Sequence, residues 1–227
     1  MKLNLKLNIK YVLYLVVLFV NISSNISAYG GSYDDFFAAI KHDDAATINN
    51  LLQRGFDANT RDPKGQHGLY LAIQEPSLKA AAALIAWPQT QVESRNAADE
   101  SPLMMASLKG LTEVVHQLVE KGADVNKPGW APLHYAATNG HLEIMNLLLE
   151  NHAYIDASSP NGSTPLMMAA LYGSPSAVKL LLEAGADPMI TNSQGMNAVN
   201  FAQRHGRMES AELIAAFVRA RQPKGKW

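Results

Sequence analysis

One unit, repeated, constrains this chain more than anything else in it. A helix-start position held by proline or a small residue recurs at Gly68, Pro102, Pro132, Pro165 and Ala198, in steps of 34, 30, 33 and 33 residues. A turn position recurs beside it at Gly55, Gln89, Gly122, His152 and Gly185. Two ladders with one period describe a linear stack in which each unit packs only on its neighbours. The fold class expected is therefore an all-α solenoid of about six helix-turn-helix units joined by short hairpin loops.

The stretch from Ser163 to Asp187 shows how one unit is written. Thr164 can cap a helix whose first position is Pro165, with φ already set for it. Leu166, Ala169 and Ala170 give a short helix whose small residues admit a close neighbour, and Gly173 is expected to end it. Val178, Leu181 and Leu182 then fall at i, i+3, i+4 on a second helix, which Gly185 closes. Asn161-Gly162 is a strong turn dipeptide, placed where a hairpin must reverse. The stretch from Trp130 to Asp156 repeats the plan, but its entrance, Asn126-Lys127-Pro128-Gly129, is about three residues shorter than its neighbours'.

These units resemble ankyrin repeats. Unit four carries Pro132-Leu133-His134 with Ala136-Ala137 and Gly140-His141. Unit five carries Thr164-Pro165-Leu166 with Ala169-Ala170 and Gly185-Ala186-Asp187, and unit three carries Ser101-Pro102-Leu103, Ala106, Gly110 and Gly122-Ala123-Asp124. The resemblance covers residues 33–219, with units at 33–63, 64–97, 98–129, 130–160, 161–194 and 195–219. It is weaker outside units three to five. Unit one lacks the Pro-Leu start, unit two has His67-Gly68-Leu69, and unit six has Asn197-Ala198-Val199. The polar residues of the outer units suit caps, since a terminal unit has one unpaired side.

The composition fits a folded domain. Hydrophobic residues make up 48% and charged residues 17%, values outside the disordered range. The net charge of −1 gives no field for general nucleic-acid binding. The absence of cysteine removes disulfides, thiolate metal sites and a cysteine nucleophile together. At the amino terminus, Lys2, Lys6 and Lys10 precede the apolar run Tyr11–Val20, and Ala28 follows a polar stretch. These are the parts of a secretory signal peptide over residues 1–28. The run is half the ~20 residues of a spanning helix, and a retained anchor is the alternative. Cleavage would leave the chain at −4 and free of the membrane. The expected location is the bacterial periplasm or the exterior. Residues 220–227 form a basic tail ending in Trp227.

No catalytic or cofactor motif appears: there is no nucleophile elbow, phosphate loop or dinucleotide fingerprint. The seven histidines include no His-Glu-x-x-His spacing, and the resemblance implies that His134 bonds backbone between units. Met104-Met105 and Met167-Met168 sit two units apart at matching positions. The first of each pair replaces the repeat's histidine and the second is expected to face a groove. Asp34-Asp35 and Asp43-Asp44 read as caps and solvent face, because adjacent helix residues do not face each other. Asn161-Gly162-Ser163 is also a glycosylation sequon, which the turn explains without modification. No catalytic residue, metal ligand or cofactor is expected.

The resemblance implies a concave face made of hairpin tips and first helices, left free to contact a partner. By position, the expected contact residues are Glu100, Met105, Lys109, Trp130, Tyr135, Thr138, Asn139, Asn161, Ser163, Met168, Tyr172 and Met196. Trp130, Tyr135, Met105, Met168 and Tyr172 are expected to cluster at the centre, where exposed aromatics make hot spots. Tyr135 and Tyr172 could instead cover the core between units. The function expected is non-catalytic protein binding by a monomer; the alternatives are a secreted effector acting on a host protein and, after it, a ligand- or metal-binding periplasmic protein.

Overall fold

The computed structural model describes residues 31–221. The segment read as a signal peptide and the end of the basic tail, with Trp227, lie outside them. Six helix pairs follow in order: α1 (31–41) with α2 (Ala45–Gln53), α3 (Gly68–Gln74) with α4 (Leu78–Ala86), and α5 (Pro102–Lys109) with α6 (Thr112–Glu120). Then come α7 (Pro132–Asn139) with α8 (Leu142–Glu150), α9 (Pro165–Leu171) with α10 (Pro175–Glu183), and α11 (Ala198–Arg204) with α12 (Met208–Arg221). First helices α3, α5, α7, α9 and α11 stack in one layer and the second helices in another. The core lies between, in triads such as Val114, Val115, Leu118 and Ile144, Met145, Leu148, all buried. Helix α12 continues through Arg221, two residues past the boundary expected at 219.

Local chemistry sets the helix starts. Ser101 and Thr164 accept a hydrogen bond from the backbone N–H three residues on, and a proline follows each at the first helical position. Asp44 caps α2 through the N–H groups of Ala46 and Thr47. Asp43 reaches further: its Oδ1 accepts from the N–H groups of Lys79 and Ala80, capping α4 of the next unit at 2.7 and 2.9 Å. Gly173 does not end the fifth unit's first helix by a left-handed turn. That helix stops at Leu171, and the glycine is needed because a Cβ there would lie 2.6 Å from the Ala137 carbonyl of the previous unit.

The hairpins expected between units are tips without strands. Among the described residues the only bridge is Arg61–His67. Four tips close with one backbone bond from the first residue's N–H to the fifth residue's carbonyl: Asp62 to Gln66, Asn96 to Glu100, Ser159 to Ser163 and Asn192 to Met196. The first side chain of each tip accepts from its own loop, as Asp62, Asn96 and Asn192 do from the N–H groups two and four residues on. Donors used that way are not available to a strand partner. The loop before α7 has no such closing bond among the described residues. It is the shortened entrance.

A second ladder ties unit to unit. Asn59 Oδ1, Glu93 Oε1, Asn126 Oδ1 and Asp156 Oδ1 accept from the backbone N–H of Gln91, Asp124, Tyr154 and Asp187, at 2.8, 2.7, 2.7 and 3.1 Å. Each recipient N–H lies just past the end of the next unit's second helix. In units one, three and five the turn there has a left-handed glycine, Gly55, Gly122 and Gly185, and in unit four the same conformation is held by His152, φ 65°. A side chain in that region costs roughly 1 kcal/mol. The His152 carbonyl is held by the Asn126 amide at 2.8 Å, a contact glycine would keep. His152→Gly is therefore expected to stabilise the fold by about 0.5–1 kcal/mol in urea unfolding, and a loss of stability would refute the account of this turn.

Candidate protein-binding face

Helix α7 positions the centre of the face. Its capping residue, Ala131, has no side-chain oxygen to accept from the first turn, and His134 supplies the reciprocal bond, to the cap residue's own N–H. His134 Nδ1 accepts from the Ala131 N–H at 3.1 Å, while Nε2 donates to the Ser163 carbonyl at 3.0 Å. An N–H on one side and a carbonyl on the other fix a neutral ring with its proton on Nε2. Burial moves the His134 pKa down, which keeps the ring neutral. In units three and five a thioether does half of this work: Met104 and Met167 Sδ accept from the N–H of Ser101 and Thr164, both at 3.4 Å. Met105 and Met168, one residue on, are half-buried.

The short loop delivers Trp130 directly against this helix. Its ring meets His134 edge-on at 5.2 Å and Tyr135 at 6.5 Å. Together with Leu108 of α5, Thr138 of α7 and Met168 of α9, these residues line an open cavity of about 240 Å³. Three consecutive first helices thus build one pocket. Thr138 turns its hydroxyl back to the His134 carbonyl at 2.8 Å, leaving its methyl for the wall.

Beside the pocket sits a carboxylate. Glu100 Oε1 accepts from the Tyr135 hydroxyl at 3.3 Å, and Oε2 accepts from the Tyr70 hydroxyl and the Asn96 amide, both at 2.8 Å. Burial, and then the Glu100 charge, push the Tyr135 phenol up to about 12. Burial and the hydrogen bond to Glu100 raise Tyr70 as well. The adjacent Asp99 pairs with Lys127 and with Arg95, and its carboxyl is held below the ordinary value chiefly by the Lys127 hydrogen bond.

Of the residues expected on the face, Trp130, Tyr135, Thr138 and Met168 converge on the pocket, with Glu100 behind the Tyr135 hydroxyl. Lys109 is exposed, and Met105 is packed against the core. Asn139 is exposed but its amide donates to the Leu108 carbonyl at 2.7 Å, making it a strut between units. Asn161 is exposed at its tip, accepting from the Ser159 hydroxyl at 2.6 Å. Ser163 is not a contact residue: it is 1% exposed, because the tip closes over it and its carbonyl faces His134. Tyr172 is 55% exposed but turns to His205 of the last unit, 6.5 Å away, so it does not join the central cluster. Met196 is half-buried, its sulfur 3.5 Å from an Arg204 nitrogen.

Leu108 and His134 as pocket walls, and Tyr70 as a partner of Glu100, were not among the expected residues. Tyr70 stands two residues after Gly68, where His134 stands two after Pro132. The ladder therefore marks its position, though not its reach. Among the described residues, no group of three or more His, Cys, Asp or Glu is placed to hold a metal ion, and no helix is long and apolar enough to cross a membrane.

The helix pairs, their period and their caps agree with a known family. The model for ankyrin repeats (3 copies) matches residues 36–128, 69–159 and 133–222. The chain belongs to the ankyrin repeat family. Ankyrin repeats generally mediate protein–protein interaction and are typically non-enzymatic. The chain is similar to the ankyrin repeat protein YahD of Escherichia coli, 27% identical over 192 residues, which cover 80% of this chain and 94% of YahD. It spans no more than 26% of the length of the first curated relatives it matches. Among solved structures, it is similar to a chain of the complex between the predatory endopeptidase Bd0816 of Bdellovibrio bacteriovorus and the immunity protein Bd3460. The TM-score is 0.70 at 25% identity, covering 80% of this chain and 97% of that one. An ankyrin repeat domain from Acinetobacter baumannii gives a TM-score of 0.70 at 26% identity, covering 81% and 97%.

Buried histidines in this array are expected to make it acid-sensitive. The pKa of His67 falls to about 4, first through burial and then through the Arg61 charge. The folded state therefore binds its proton less readily than the unfolded chain, and unfolding takes up protons between about pH 6.5 and 4. His67 leaves stability untouched above that window and costs about 2 kcal/mol by pH 5. Urea midpoints at pH 7.5 and 5.0 are expected to differ less in His67→Gln than in the wild type. An equal drop in both would remove His67 as the cause.

Proposed function

We propose that this chain is a non-catalytic protein that holds one protein partner on its concave first-helix face, centred on Trp130 and Tyr135. The observation carrying this reading is the open pocket those two rings form with Leu108, Thr138 and Met168 at the shortened tip. Aromatic side chains in a central, largely apolar recess supply most of the energy of a protein interface. Around the recess, Lys109 and Asn139 are exposed and can form a polar rim.

The partner in this reading is an enzyme, held stable or inactive by the array. Its support is the solved neighbour described as an endopeptidase in complex with an immunity protein. The location is the periplasm or the exterior, supported by Lys2, Lys6 and Lys10 ahead of the apolar run Tyr11–Val20.

Affinity capture from a periplasmic fraction, with wild type beside the Trp130→Ala/Tyr135→Ala double variant, tests the reading. The variant is expected to retain at least about tenfold less of the partner, as loss of two hot-spot side chains implies. Equal capture of the same proteins by both would place the binding face elsewhere.

A further inference from the structure

The carboxylate of Glu100 has an uncommon set of partners. Three hydrogen bonds reach it, from the Tyr70 and Tyr135 hydroxyls and the Asn96 amide, and all three donors are neutral. Among the described residues it makes no ion pair, although its neighbours Glu93 and Asp99 both do. The three donors fix the group's position across three units without cancelling its charge. A half-buried charge held in this way gains most from an opposite charge brought to it.

The pocket next to it suits the rest of a cation. Tyr135 forms its wall with the ring and touches Glu100 with the hydroxyl, so pocket and carboxylate share one side chain. Leu108 and Met168 offer apolar surface for a methylene stem, and the Trp130 and Tyr135 rings offer π faces to a cation. His134 is neutral and adds no repulsion. Lys109 follows Leu108 on α5, is exposed, and makes no ion pair with Glu100. A cavity of about 240 Å³ is below the usual range for small-molecule ligands, which starts near 300 Å³, and is the right scale for one side chain.

We infer that the Trp130 pocket is an arginine-recognition site, taking one arginine side chain of the protein partner with its stem on Leu108 and Met168, its guanidinium against Trp130 and Tyr135, and its N–H groups directed at Glu100. Arginine fits better than lysine because a planar guanidinium stacks on rings and donates in a fork to a carboxylate. This inference rests on the proposed binding face and adds to it the chemistry of the contact. It also gives Glu100 a direct role that its bonds to Tyr70 and Asn96 would otherwise leave purely structural.

The test uses small probes on the folded protein, with the indole N–H signal of Trp130 assigned by Trp130→Phe. N-acetyl-arginine amide is titrated against N-acetyl-norleucine amide, which keeps the stem without the charge, and against choline, which keeps a charge without donors. The arginine probe is expected to shift the Trp130 signal with an affinity at least about tenfold above the other two. That advantage is expected to shrink with added salt and to vanish in Glu100→Gln. Norleucine or choline binding as tightly, or no shift of Trp130 with any probe, overturns the inference. The wild-type comparison stands even if the Glu100 variant folds poorly. Failure of the probes with partner capture still dependent on Trp130 sinks the arginine site alone. Probe binding with capture unaffected by Trp130 sinks the proposed function and spares the site.

Discussion

The contact on which the rest of this structure depends is the one between a polar side chain at the end of one unit and the backbone of the next. Asn59, Glu93, Asn126 and Asp156 each accept a backbone N–H one unit along. Each helix pair is too small to bury its own apolar surface, so the array is stable only as a stack. Hydrophobic burial supplies the driving force, and these bonds set the spacing at which it is realised. His134 does the same in the first-helix layer, linking Ala131 in its own unit to Ser163 in the following one.

That spacing survives the irregular step in the sequence. Between Pro102 and Pro132 the period falls to 30 residues, yet Glu93 still holds Asp124 and Asn126 still holds Tyr154. The loss is absorbed wholly by the tip, where the closing bond found in the other loops is missing. A change confined to the tip leaves the stack intact and alters only the first-helix side of the array. Trp130 stands directly before the cap of α7, where the longer loops place Gln66, Glu100, Ser163 and Met196, and Lys127 is left to pair with Asp99.

Period and patterning made the helix pairs legible from the sequence, since proline, threonine and small residues act locally to start helices. The central pocket was partly legible for the same reason: Trp130, Tyr135, Thr138 and Met168 occupy positions that the repeat itself does not use. What escaped were contacts between units, which no local rule encodes. Tyr70 reaches Glu100 thirty residues along, Asp43 caps a helix in the next unit, and Ser163 is covered by its own tip. Tyr172 was misplaced because its position predicts a layer and not a direction, and its ring turns to His205.

The central claim is that the shortened tip opens the face above Trp130 for a partner. Its most direct measurement is the affinity for the captured partner of a variant with three residues, Gly-Asn-Gly, inserted between Pro128 and Gly129. Because the ladder already tolerates units of either length, the melting temperature should be unchanged. The account predicts that partner affinity falls by at least about tenfold. An insertion variant that binds as tightly as the wild type would contradict it.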